Sequence, residues 1–191
     1  MTSEHQQPLR SQFKTRFQAL AWSAGIFGGL AATMAIAAVV AKPYLDESKC
    51  WHQLRSIGCT IAMYQNQARG AYPATWRELA ETQQITTTIF VCPASRDASE
   101  QDKTFNEQLA DLAAAGTHNS SYIYTGSGLA PAKPMTGQDV LACEAMANHG
   151  NGIHVLLSDD TVIWLSQSKD AVKIDHLNAD IQAGVRPLRL R

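Results

Sequence analysis

Two imidazoles and two adjacent carboxylates crowd one short stretch near the C-terminal end, as Asn148-His149, Asn151, His154 and Asp159-Asp160, with Glu144 just before them. Side chains of these types could hold a cation or run acid–base chemistry. Asp159 and Asp160, with the nearby oxygens of Asn148, Asn151 and Glu144, form an oxygen set of the kind that calcium takes, although calcium wants about six to eight such ligands and no EF-hand spacing is present. The same pair also suits a tight turn, with His149 hydrogen-bonded to loop backbone, so a structural reading stands beside the metal one. His149 and His154 lack the helical His-Glu-x-x-His spacing of a zinc hydrolase. A nucleophilic arrangement of Cys92, His149 and Asp159 has the right residue types, since a thiolate needs a base and the base an orienting acid. Cys92 lies in an apolar run before Pro93, however, which favours a structural or disulfide role, and the chain is expected not to be an enzyme.

The four cysteines are Cys50, Cys59, Cys92 and Cys143. On one helix, Cys50 and Cys59 would lie about 13 Å apart, beyond disulfide reach. Cys50–Cys92 is the preferred pair, and four buried free thiols are the alternative.

These residues need elements to position them. The pattern of Cys50, Leu54, Ile57, Ile61 and Tyr64 draws one apolar stripe on a helix over 44–69. Gly70-Ala71-Tyr72-Pro73 ends it, and Thr75-Trp76-Arg77-Glu78 has capping-box spacing for a short helix to about 82. Ile89-Phe90-Val91-Cys92 reads as a buried strand. Phe105, Leu109 and Leu112 mark a small helix, and Ser121-Tyr122-Ile123-Tyr124-Thr125 and Val140-Leu141-Ala142-Cys143 mark strands. Ile153-His154-Val155-Leu156-Leu157 and Thr161-Val162-Ile163-Trp164-Leu165 form a hairpin around the acidic turn. Ser168 is placed to cap a last helix carrying Ile174, Leu177 and Ile181 and ending at Gly184. The basic tail after it is expected to fray.

The N-terminal part is different. Residues 19–41 are uncharged, and about 34 Å of helix would cross a bilayer core of about 30 Å. Arg10, Lys14 and Arg16 precede the run, whereas the chain beyond Lys42 carries an acidic excess. By the positive-inside rule this predicts a signal-anchor: a cytoplasmic segment 1–18, a transmembrane helix 19–41 in the cytoplasmic membrane, and an exported, periplasmic domain 42–191. Cleavage after Val39-Val40-Ala41 by signal peptidase would instead release a secreted ligand- or calcium-binding domain. Gly25 and Gly29 form a Gly-x-x-x-Gly pair suited to self-association. The net charge of −1 is mixed in sign and gives no footprint for nucleic acid. The expected fold class is α+β: a long N-terminal helix, membrane-spanning and then amphipathic, packed on a small antiparallel sheet with short helices and a C-terminal helix.

Taken in order, Cys50-Trp51-His52-Gln53-Leu54-Arg55-Ser56-Ile57-Gly58, Gly70-Ala71-Tyr72-Pro73, Phe90-Val91-Cys92-Pro93, Ser121-Tyr122-Ile123-Tyr124 and Asn148-His149-Gly150 leading to Asp159 resemble the pseudopilin-like proteins of type II secretion systems, in their divergent planctomycete-type form. The last element is similar to the His-x9-Asp-Gly signature of that group, with Asp160 in place of Gly. The resemblance implies a long helix on a small antiparallel sheet, and a role in protein transport through contacts with other secretion or envelope subunits. The apolar run lacks the Glu that guides pseudopilin processing and polymerisation.

Overall fold

The computed structural model describes residues 7–95, 103–113, 120–127, 129, 137–145 and 148–190, with side chains from residue 33 onward in the first helix and to 112 in the third. Two compact units divide at Tyr44 and Leu45. Helix α1, Gln7–Gln67, carries the chain through both and continues past Pro43. In the first unit the side chains of Met34, Ile36, Val39, Val40 and Tyr44 are exposed.

Among the described residues no helix is long and apolar enough to cross a membrane. This corrects the expected transmembrane span over 19–41 and the single-pass placement built on it, with its cytoplasmic N-terminus and periplasmic domain. Within the described side chains, the apolar stretch 33–41 gives way directly to Lys42, Asp46, Glu47 and Lys49. The side chains of Gly25, Gly29 and segment 1–18 lie outside the described residues.

The second unit is α+β, as the patterns predict. After α1 come α2 (Trp76–Gln83), a 3-10 turn (Thr87–Phe90), α3 (Phe105–Ala113), β1 (Tyr122–Tyr124), β2 (Asp139–Glu144), β3 (Gly152–Leu157), β4 (Val162–Ser166), α4 (Gln167–Gln182) and β5 (Leu188–Arg189). The antiparallel sheet runs β1-β2-β3-β4, and β5 extends the β1 side of β2. Each face is covered. Cys50, Leu54, Ile57 and Ile61 of α1 pack with Tyr122, Leu141, Ala142 and Leu156 on one face. Ile174 and Leu177 of α4 pack with Val140, Cys143, Ile153, Val155 and Leu165 on the other. Burial on both faces explains why β2 and β3 read as near-continuous apolar runs and not as clean alternations.

Local signals decide most boundaries. Thr75 Oγ1 accepts the Glu78 N–H at 3.1 Å while Glu78 Oε2 reaches one residue past the N-cap to accept the Ala74 N–H at 2.6 Å, a variant of the capping box that starts α2. Three expectations are corrected. The segment 89–92 is not a strand, because its links to Ser121 are only the Ser121 N–H to Phe90 carbonyl bond and the Cys92 N–H to Ser121 Oγ bond, too few for a ladder. Helix α4 starts earlier than Ser168, with Ser166 as its N-cap and the Asp170 carboxylate accepting the Ser166 N–H at 3.3 Å. The basic tail does not fray: Leu188 is fully buried, and Arg189 Nε donates to Asp139 Oδ1 at 2.7 Å.

Candidate functional site

Helix α1 brings Cys50 to the sheet at the start of its apolar stripe, where it is joined to Cys92 in a disulfide with Cα atoms 5.6 Å apart. The preferred cysteine pairing is therefore the one formed. Cys59 is an exposed free thiol and Cys143 a buried one. Burial, with the Glu144 carboxylate beside it, pushes the Cys143 thiol up to about 12, which leaves it inert at neutral pH.

A bulge in β2 completes the site. Its register with β3 shifts between Val140 and Ala142, and both Leu141 and Ala142 join the core on the α1 side. Strict alternation from Val140 would aim Cys143 toward the disulfide and Glu144 away from it. The extra residue reverses both: Cys143 packs under α4, and Glu144 turns to the α1 face. There its carboxylate, which is fully buried, meets two imidazoles. Glu144 Oε1 lies 3.3 Å from His149 Nε2, whose ring is 5% exposed. Glu144 Oε2 lies 3.0 Å from His154 Nδ1 and accepts the His154 N–H at 2.8 Å. His149 Nε2 is also 3.5 Å from Cys92 Sγ, and that sulfur accepts the Ala94 N–H at 3.4 Å.

Aromatic packing fixes the rings. His154 lies against Trp164 at 4.7 Å between centroids, and His149 meets both His154 and Trp164 edge-on. Gly152 permits this approach, because a Cβ there would strike the Leu165 carbonyl oxygen and the Trp164 ring. Burial pushes the Glu144 carboxyl up, but the hydrogen bonds from His149 and His154 outweigh it and hold the group below the usual carboxylate range. The same bond to Glu144, against an opposing effect of burial, raises His149 above the ordinary histidine value. The pair is thus biased toward imidazolium and carboxylate.

Asp159 and Asp160 occupy the β3–β4 turn and do not join this cluster. Asp159 Oδ1 accepts the Thr161 N–H at 3.0 Å, and Asp160 has φ of 63°. Partial burial, and then Asp159, raise the Asp160 carboxyl above its usual value. Asn148 donates from its side chain to the Ser121 carbonyl at 3.1 Å. The Asn151 side chain is exposed, while its carbonyl accepts the Gln167 N–H. The Cys92–His149–Asp159 arrangement is therefore half assembled. Cys92 and His149 meet, Glu144 takes the place assigned to the acid, and in the disulfide Cys92 has no thiolate to attack with.

Among the described residues Cys50, Cys92, Glu144 and His149 are a group of ligand-type side chains whose ligand atoms all lie within 4.8 Å of one another. Sequence reasoning paired Cys50 with Cys92 and weighed Cys92 with His149, but counted Glu144 only among the oxygens near Asp159 and Asp160. The bulge that unites them leaves no local signature in Val140-Leu141-Ala142-Cys143-Glu144. No protein-family model, curated protein or solved structure matches this chain.

Proposed function

We propose that this chain is a non-enzymatic assembly protein, a pseudopilin-like α+β head that works by contact with other subunits of a type II secretion-like machine. The observation that carries the reading is the contrast along α1. From Cys50 to Tyr64 its apolar stripe is buried under the sheet, whereas Met34, Ile36, Val39, Val40, Tyr44 and Leu45 are exposed to between 57% and 74%. A contiguous apolar helix surface of this kind is an interaction surface, and neighbouring helices of an assembly would cover it. The disulfide suits a chain that matures where thiols are oxidised. The buried cluster, its Cys92 already bonded, suits a structural role better than turnover.

The test is crosslinking of the full-length chain in its own cells, followed by mass spectrometry of the crosslinked species. Wild type is expected in higher-mass adducts with other proteins, and Ile36→Asp with Val40→Asp is expected to abolish them while leaving the head folded. A wild-type chain that crosslinks to nothing, or adducts undiminished by the two charges, would overturn the reading.

A further inference from the structure

The structure holds the Cys50–Cys92 disulfide against one imidazole nitrogen and one carboxylate oxygen, and we infer that the reduced protein binds a single zinc ion there, through Cys50 Sγ, Cys92 Sγ, His149 Nε2 and Glu144 Oε1. The ligand types are those of a closed zinc site, two sulfurs with one nitrogen and one oxygen.

Geometry supports the assignment. With Zn–S of about 2.3 Å and Zn–N or Zn–O of about 2.0–2.1 Å, a tetrahedral site has an S···N edge of about 3.6 Å and an N···O edge of about 3.3 Å. The protein shows 3.5 Å from Cys92 Sγ to His149 Nε2 and 3.3 Å from His149 Nε2 to Glu144 Oε1. The four ligand atoms lie within 4.8 Å of one another, so the sulfurs must separate once their bond is cleaved and the widest pair must close to reach tetrahedral edges.

The surroundings are those of a supported metal site. The second Glu144 oxygen is held by the backbone and ring of His154, so the ligating oxygen is already aimed. Cys92 Sγ takes a backbone N–H from Ala94, which would offset thiolate charge. Cys50, Cys92 and Glu144 are at most 2% exposed, so water would compete poorly.

The chemistry balances with a dithiol reductant. One reductant thiolate attacks a cysteine sulfur, the S–S bond breaks, and the resulting mixed disulfide is resolved by the reductant's second thiol. The reductant leaves as its cyclic disulfide, and two electrons end on Cys50 and Cys92 as two thiols. Zinc then displaces both thiol protons, and any proton on Nε2, to solvent. Oxidation reverses the sequence: a disulfide oxidant takes the two electrons, the Cys50–Cys92 bond reforms, and zinc is released. The same four positions thereby staple α1 to the sheet in either redox state.

The experiment uses the full chain, reduced anaerobically with dithiothreitol, freed of reductant, and titrated with zinc or cobalt(II) alone. Native mass spectrometry should show one zinc per reduced chain and none per oxidised chain. Cobalt should give sulfur-to-metal charge transfer and the intense visible bands of a tetrahedral site. His149→Ala should lose stoichiometric binding, His154→Phe should weaken it about 10- to 100-fold, and Cys59→Ser should leave it unchanged. A reduced wild type that takes up no metal overturns the proposal. So does uptake that survives His149→Ala or disappears in Cys59→Ser. Should His149→Ala fail to fold by circular dichroism, the wild-type cobalt spectrum still decides, since pale octahedral bands without charge transfer overturn the site.

Discussion

Two carboxylates beside the α1 face of the sheet behave in opposite ways. Glu144 is 2% exposed and its carboxyl is held below the usual range, whereas Asp160 sits in an exposed turn and its carboxyl is raised. Burial alone would order them the other way. The difference lies in their partners: Glu144 faces two imidazoles and a backbone N–H, while Asp160 has Asp159 for its neighbour and only Arg55 in its favour. Desolvation disfavours charge at both sites, and the specific partners decide the sign. It follows that the buried acid supports the fold in its charged form, and the exposed one opposes it.

The strongest way to break this comparison is to remove the buried acid. Glu144→Ala leaves His149 and His154 without their common acceptor in a closed site, and should cost about 3–5 kcal/mol in urea unfolding. A loss below about 1 kcal/mol would mean that the imidazoles are neutral and the carboxylate is not needed to hold them. Next in size is the staple beside it. Cys50→Ala with Cys92→Ala opens a loop with a sequence separation of 42 and should cost about 2–4 kcal/mol in a metal-free buffer. An unchanged unfolding midpoint would show that the cluster and the apolar stripe hold α1 without it.

How much of this was legible in the residues varies with the kind of signal. Periodicity found the buried stripe of α1, the capping box found α2, and the apolar pairs around Asp159-Asp160 found the hairpin, because each signal lies within one element. The apolar run of 89–92 misled, since burial is common to a strand and to a 3-10 turn and only pairing separates them. Leu188 was missed because a two-residue strand has no periodicity to read, and its place depends on the open edge of β2. Helix geometry excluded Cys50–Cys59 but left both Cys92 and Cys143 open to Cys50; the preferred pair, Cys50–Cys92, is the one formed. The site around it was not legible, because alternation without the bulge sends Glu144 to the wrong face. The apolar run over 19–41 suggested a span, whereas among the described residues no helix is long and apolar enough to cross a membrane.

A milder perturbation sharpens the comparison through pH. His149 is raised in the folded protein, so its contribution is complete below its unfolded value of about 6.5 and is lost as pH rises through the higher folded value. Glu144 is lowered, so its contribution is present above about 4.3 and is lost as pH falls through the lower folded value. Between these limits both are charged, and stability should peak there. His149→Gln should lower that peak by about 1.5–3 kcal/mol, the worth of a hydrogen bond between charged groups, and remove the alkaline fall. A pH–stability curve of the same shape in wild type and variant would show that His149 is not the titrating partner.

The smallest effect is at the turn, and it should have the opposite sign. Asp160 is raised in the folded protein, so its ionisation works against folding, and stability falls as pH rises from its unfolded value of about 3.9 through the folded one. Asp160→Asn keeps the size of the side chain and its tolerance of positive φ, which is 63° here. It removes only the charge, which partial burial and then Asp159 disfavour, and at pH 7 should stabilise by about 0.2–1 kcal/mol. At pH 3 wild type and variant should unfold together, because the acid is then neutral in both. Asp160→Gly should gain slightly more at pH 7, since it also relieves the left-handed backbone, with part of that gain returned to the more flexible unfolded chain. Millimolar calcium turns the same variants into a test of the oxygen set of Asp159 and Asp160. If the turn offers too few ligands, calcium leaves the midpoint of every variant unchanged. If it binds, wild type alone should gain RT ln(1 + [Ca]/Kd), and Asp160→Asn would become the less stable chain.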